Sequence, residues 1–147
     1  SVTKKRLSSF YRMMQREGIQ VPDEYVRPAR YLDADLSARQ TRELLELKDP
    51  PTCILYPDDL SAVGGFNEIR ERDLKIPEDI SIVGFDDINM AQFSAPPLTT
   101  VSAPAYHMGM YGASILQHLL REHPGPALKI KLPCKLVVRN SCKAIEK

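Results

Sequence analysis

The chain has 147 residues, 43% hydrophobic and 27% charged, enough apolar material for one globular domain with its own core and too much for a disordered tail. Its 20 basic and 19 acidic residues leave a net charge of +1, and their scatter offers no basic stripe for a phosphate backbone, so this chain alone is not expected to hold DNA. No apolar run reaches the ~20 residues that cross a bilayer, no apolar block follows the charged start, and residue 1 is Ser, so the expectation is a cut end rather than a signal peptide or membrane anchor.

Leu7, Phe10, Tyr11 and Met14 fall at i, i+3, i+4 and i+7, predicting a helix from about Thr3 to Glu17 that Gly18 ends. Residues 22–35 are a turn-rich connection with room for a short strand. Ser37 is placed to cap a helix through Leu47, closed by Asp49-Pro50-Pro51. The run "TCILY" (52–56) reads as a buried strand, residues 59–74 as a helix with Leu60, Val63, Phe66 and Ile69 on its apolar stripe, and "ISIVGF" (80–85) as a second strand. Between the strands lies enough chain for a right-handed βαβ crossover, and their unbroken apolar character fits an α/β fold, a parallel sheet with helices on both faces. Gly64 and Gly65 each cost about 1 kcal/mol inside a helix, so close packing against a neighbouring backbone is expected there. Beyond Pro104, Met108, Tyr111, Gly112, Ile115 and Leu119 mark another amphipathic helix, ended by "HPGP" (123–126). Two strand candidates follow, 128–132 and 134–138, separated by Pro133, and the tail 140–147 reads as frayed.

Loops leaving the carboxyl ends of parallel strands line the crevice where ligands bind in such sheets. Both strands end on paired acids, Asp58-Asp59 and Asp86-Asp87. One acid of each pair can cap the next helix, a role assigned to Asp59 and to Asp87, which leaves Asp58 and Asp86 to face the crevice and accept hydrogen bonds from hydroxyls or an amine. The competing reading is that an Asp after a strand only forms a cap or turn. By the same logic Arg6 reads as a solvated helix charge, and Tyr31, Tyr56 and Phe85 as core or as stacking surfaces. The odd set of cysteines, Cys53, Cys134 and Cys142, forms no CxxC pair and shares no ligand spacing with His107, His118 and His123, so reduced thiols in the cytoplasm are expected, with no metal and no cofactor. No GxSxG, HExxH or Gly-rich phosphate loop supports an enzyme, and nothing pairs the acids with a nucleophile.

The segment from "PTCILYPDDLSAVGGF" through "RERDLKIPEDISIVGFDD" to "PPLTTV", with the closing "LPCKLVVRNS" and the upstream "RLSSFYRMMQREGI", closely resembles the C-terminal half of the sugar-sensing core of the lactose/galactose repressor (LacI/GalR) family of bacterial transcription regulators. The resemblance covers nearly the whole chain. It implies a type I periplasmic-binding-protein-like C-terminal subdomain over residues 1–100, a crossover strand and helix over 101–126 that pack on an N-terminal subdomain, and return strands and tail over 127–147. It also implies sensing of a small-molecule effector (a sugar, a nucleoside or an amine-bearing compound), a homodimer, and contact with operator DNA only through an N-terminal helix-turn-helix head that this chain lacks. By motif matching Asp86 looks like the carboxylate that grips effector hydroxyls, Arg6 like the effector-binding arginine, and Tyr31 like a ligand-stacking aromatic. Asp58 falls where the family usually has Asn or a small polar group that contacts effector, a departure that makes a plain sugar less expected and leaves room for a ligand carrying an amine. The alternative of similar architecture is a periplasmic sugar-binding protein of an uptake system.

Overall fold

Among the described residues four strands form one sheet in the order β1-β2-β3-β4. β1 (Cys53–Leu55), β2 (Ser81–Asp86) and β3 (Thr99–Ser102) run parallel, with Ile54 opposite Ile82 and Gly84 opposite Thr100, and β4 (Lys135–Val137) pairs antiparallel to β3. The computed structural model describes residues 2–28, 30–121 and 128–144. Five helices accompany the sheet: α1 (Val2–Arg16), α2 (Ala34–Leu45), α3 (Asp59–Glu71), the short α4 (Asn89–Phe93) and α5 (Ala105–Arg121). The β1-α3-β2 unit is the expected crossover, and the sheet continues through residue 100, where the subdomain boundary was expected, because β3 spans it.

The core forms where α2 and α3 lie against the sheet face carrying Ile54 and Ile82. Leu44, Ile54, Tyr56, Ala62, Phe66, Ile69, Ile80, Ile82 and Leu98 are all buried there. The α3 face turned inward differs from the expected stripe: Leu60 and Val63 are only half-buried, whereas Ser61, Ala62, Gly64 and Gly65 are buried beside Phe66 and Ile69. Small residues let the helices approach. A side chain at Gly64 would overlap the Ala34 carbonyl of α2, the backbone contact expected there, whereas one at Gly65 would overlap the Tyr56 hydroxyl, a side chain and not the backbone expected. Thr41 Oγ1 donates to the Ser37 carbonyl at 2.8 Å, so its lone pair accepts the buried Tyr56 hydroxyl, also at 2.8 Å. Between the same helices Glu68, 3% exposed, takes the Arg42 guanidinium through both oxygens at 3.0 and 2.8 Å and Arg72 Nε at 2.8 Å.

Several local expectations change. The α2 cap is Asp33, whose Oδ1 accepts the Leu36 amide at 2.8 Å, and Ser37 lies buried inside the helix. Among its described residues the connection before α2 holds a single 3-10 turn, Asp23–Tyr25, and no strand. Residues 128–132 form no strand either, since β4 alone reaches β3. The tail is not frayed through Lys143: Ser141 is fully buried, accepts the Thr99 amide at 2.8 Å and donates to the Ile82 carbonyl at 2.7 Å, filling the notch between β2 and β3. The "HPGP" stop and residues 145–147 lie outside the described residues. α1 gathers Lys4, Lys5, Arg6, Arg12 and Arg16 with no acid, a local concentration that the whole-chain charge balance conceals.

Candidate functional site

Four segments meet at the carboxyl ends of the parallel strands: the first turns of α1, the loop at residues 31–32, the turn after β1 and the turn after β2. Arg6 of α1 is their common contact. Its guanidinium lies over the Phe85 ring, 3.5 Å from the ring centroid, and 5.7 Å from that of Tyr31. Its Nη1 donates to the Tyr31 hydroxyl and to the Pro57 carbonyl, each at 3.1 Å. Among the described residues no partner engages Nε or Nη2, so the arginine is fixed in place with donors in reserve. Arg6 is half-buried and held by Phe85, Tyr31 and Pro57, unlike a helix charge that extends into solvent.

Neither acid after β1 has the role expected of it. Asp58 is the α3 cap: extended backbone (φ −158°) lets Oδ1 accept the Ser61 amide at 2.8 Å, while Oδ2 accepts the Ser61 hydroxyl at 2.9 Å and the Leu32 amide at 3.0 Å. The last bond ties down the loop that carries Tyr31, at a residue with left-handed backbone (φ 59°). Asp58 is 1% exposed, so its carboxylate shapes the crevice wall from behind. Asp59, equally buried, reaches across the sheet instead. Its Oδ1 accepts the Thr100 hydroxyl at 2.6 Å and its Oδ2 the Ile88 amide at 2.8 Å, stitching α3 to β3 and to the turn after β2. Gly84 has no side chain because the Asp59 carboxylate occupies that space.

The turn after β2 is strained. Asp86 (φ 106°) and Asp87 (φ 59°) are consecutive non-glycine residues with left-handed backbone, each costing on the order of 1–3 kcal/mol, a cost concentrated at functional sites. Asp87 does not cap α4: the N-cap position belongs to Ile88, which offers no side-chain bond. It pairs with Arg139 at 2.6 Å instead. Asp86 is half-buried, and no hydrogen bond from a described residue reaches its carboxylate. Burial pushes its pKa above the ordinary value, Arg6 pulls it back, and the charges of Asp59 and Asp58 raise it further. Among the described residues the Asp86 carboxylate thus lacks a donor while the neighbouring Arg6 guanidinium keeps donors in reserve.

Residues 1–142 match the periplasmic binding protein-like domain family. The chain belongs to that family. The HTH-type transcriptional repressor CytR of Escherichia coli (strain K12) is 32% identical over 141 residues, which is 95% of this chain and 41% of CytR. A LacI transcriptional regulator from Bacillus cereus subsp. cytotoxis NVH 391-98 matches with a TM-score of 0.93 at 28% identity, over 99% of this chain and 51% of that one. A LacI family transcriptional regulator from Lactobacillus casei, solved with bound sucrose, matches at 0.81 and 26% identity, over 95% of this chain and 51% of its own. The chain thus spans about half the length of these proteins or less, and corresponds to the C-terminal part of the LacI-type core.

Within this LacI-type core Arg6, Tyr31 and Asp86 converge, and Asp58 supports Tyr31 from beneath. Sequence reasoning left Phe85 undecided between core and stacking surface, and the structure makes it the platform for Arg6. Asp59 and Arg139 were missed as supports because their partners lie 41 and 52 residues away, and only the doubled acid after each strand hinted that two functions share each turn. No described helix is long and apolar enough to cross a membrane, and no group of described His, Cys, Asp and Glu residues is arranged to hold a metal ion.

Proposed function

We propose that this chain forms the C-terminal wall of the effector cleft in a cytoplasmic, homodimeric transcriptional repressor, where Asp86 and Arg6 grip a hydroxyl-rich or amine-bearing small molecule and Tyr31 covers one side of it. The observation that carries the reading is the unsatisfied Asp86 carboxylate set beside the unspent Nε and Nη2 donors of Arg6. A sugar or nucleoside hydroxyl donates to the first while its oxygen lone pairs accept from the second, and an ammonium group suits the carboxylate excess of Asp58, Asp59 and Asp86. Asp58 contributes by fixing the Tyr31 loop, so its preference for a ligand is exerted through charge and shape. The site binds rather than transforms, since none of these groups faces a nucleophile.

The exposed apolar residues of α5, among them Tyr106, Met108, Leu116 and Leu120, support packing of residues 101–126 on a second, N-terminal subdomain that closes the cleft. Closure on effector favours one arrangement of the two subdomains and so changes the affinity of a DNA-reading head for operator. The test is calorimetric titration of the full-length protein with a panel of disaccharides including sucrose, nucleosides and amino alcohols, beside operator binding. Asp86→Ala is expected to abolish the effector response and leave operator binding intact. Loss of operator binding with calorimetric effector binding retained would make Asp86 a structural residue and overturn the assignment.

A further inference from the structure

Two left-handed aspartates in succession do not hold themselves, and the structure supplies two fixed points beside them. On one side Asp59 Oδ2 accepts the Ile88 amide at 2.8 Å. On the other, Arg139 Nη2 meets Asp87 Oδ1 at 2.6 Å, with the two side chains 19% and 21% exposed. Arg139 is itself immobilised. Its Nη1 donates to the Leu98 carbonyl at 2.9 Å, its backbone amide donates to Thr99 Oγ1 at 3.0 Å, and the next residue, Asn140, donates its amide to the Pro97 carbonyl at 3.0 Å. Two residues further on, Ser141 is locked between β2 and β3. The planar fork of a guanidinium serves two acceptors at once from a fixed stem, which an ammonium does not.

We propose that Arg139 is a positioning residue of the candidate site: by holding Asp87 it maintains the left-handed turn that presents Asp86. The bearing of this on effector binding rests on the reading above, but the conformational claim needs no ligand. Arg139 lies two residues beyond β4, the strand that enters the sheet beside the end of β3 from which α5 follows. The turn that presents Asp86 is therefore set by a segment that enters the sheet from the side on which α5 leaves it. Asp59 lacks this property, since it belongs to α3 and moves with the core.

The experiment measures the amide-to-Hα coupling constants of Asp86 and Asp87 by NMR in the ligand-free full-length protein labelled with ¹⁵N-aspartate, together with melting temperature. In Asp87→Ala the Arg139 bond to Leu98 is kept, while the anchor of the turn and the tolerance of Asp for left-handed backbone are lost together, so the Asp86 coupling is expected to leave its wild-type value and Arg139→Lys isolates the part due to the anchor. Asp87→Asn is expected to keep it, since Asn tolerates left-handed backbone and still accepts from the guanidinium. Arg139→Lys is expected to shift it as well, since one ammonium must abandon Leu98 or Asp87. An unchanged Asp86 coupling in Asp87→Ala, whatever the melting temperature, overturns the proposal. If that variant does not fold, Arg139→Lys is judged by the same criterion. Failure of the effector titration with the coupling shift present would sink the functional reading and leave the positioning role standing.

Discussion

Helices α3 and α5 obey the same grammar and end in opposite circumstances. Of the 13 residues of α3 eight are buried, and of the 17 in α5 none is. In α3 the face turned inward is built less from its large apolar residues than from Ser61, Ala62, Gly64 and Gly65, because α2 approaches closely enough for backbone to meet backbone. In α5 the large apolar residues are present and uncovered: Met108 and Tyr111 of the expected stripe are 57% and 45% exposed. Periodicity reports that a face is apolar. It does not report what covers that face, and the size of the side chains on it tells how close the neighbour comes.

The sharpest way to test that contrast is to remove one aromatic ring from each helix. Phe66, 5% exposed, is enclosed by the core, so Phe66→Ala is expected to cost about 3–5 kcal/mol, lost transfer energy plus a cavity. Tyr111→Ala on α5 is expected to cost less than about 1 kcal/mol in this chain. Urea unfolding of the two variants measures both, and a Tyr111→Ala penalty matching that of Phe66→Ala would mean that α5 is covered in solution.

A second expectation concerns the charge enclosed between α2 and α3. Hydrogen bonds and attraction from Arg42, then Arg72, hold the Glu68 carboxyl at about 2 against an ordinary 4.5, and burial opposes them only in part. A carboxylate lowered in the folded state contributes stability that is complete above the ordinary value and lost as pH falls from about 4.5 toward 2. Glu68→Gln keeps the shape, loses the charge-assisted bonds and is expected to cost about 2 kcal/mol at pH 7, less than the loss of Phe66 because Arg42 is half exposed and regains water. The variant should also unfold with a shallower dependence on pH across that window. Equal acid sensitivity in variant and parent would show that other carboxylates govern acid unfolding.

How much of this was legible follows from where each partner lies. β1, α3 and β2 show in the sequence because their signals are local: apolar runs, turn residues and helical spacing within one stretch. The doubled acids also announced a site at the strand ends. Which acid did what was not readable, since Asp58 and Asp59 differ by one position and the choice is made by Leu32, Thr100 and Ile88, 26, 41 and 29 residues away. Ser141 and Arg139 sit in a polar stretch that resembles a loose tail, and only the notch between β2 and β3 makes them structural. Arg6 looked like any helix cation until Phe85 arrived beneath it.

The smallest expected effect sits at the far end of the comparison. Leu120 lies in the last turn of α5 and is 79% exposed, more than any other large apolar side chain of that helix. A leucine in water has no burial to lose, and glutamine is nearly as good a helix former, so Leu120→Gln is expected to change the stability of this chain by no more than about 0.5 kcal/mol. In the full-length protein the same change should cost about 2 kcal/mol or more if α5 packs on a second subdomain, because a polar amide would then enter an apolar contact. Thermal unfolding of the variant in both forms measures that difference. A near-zero effect in both would leave Leu120 in solvent throughout and restrict any covered face of α5 to the stripe of Met108, Tyr111, Ile115 and Leu119.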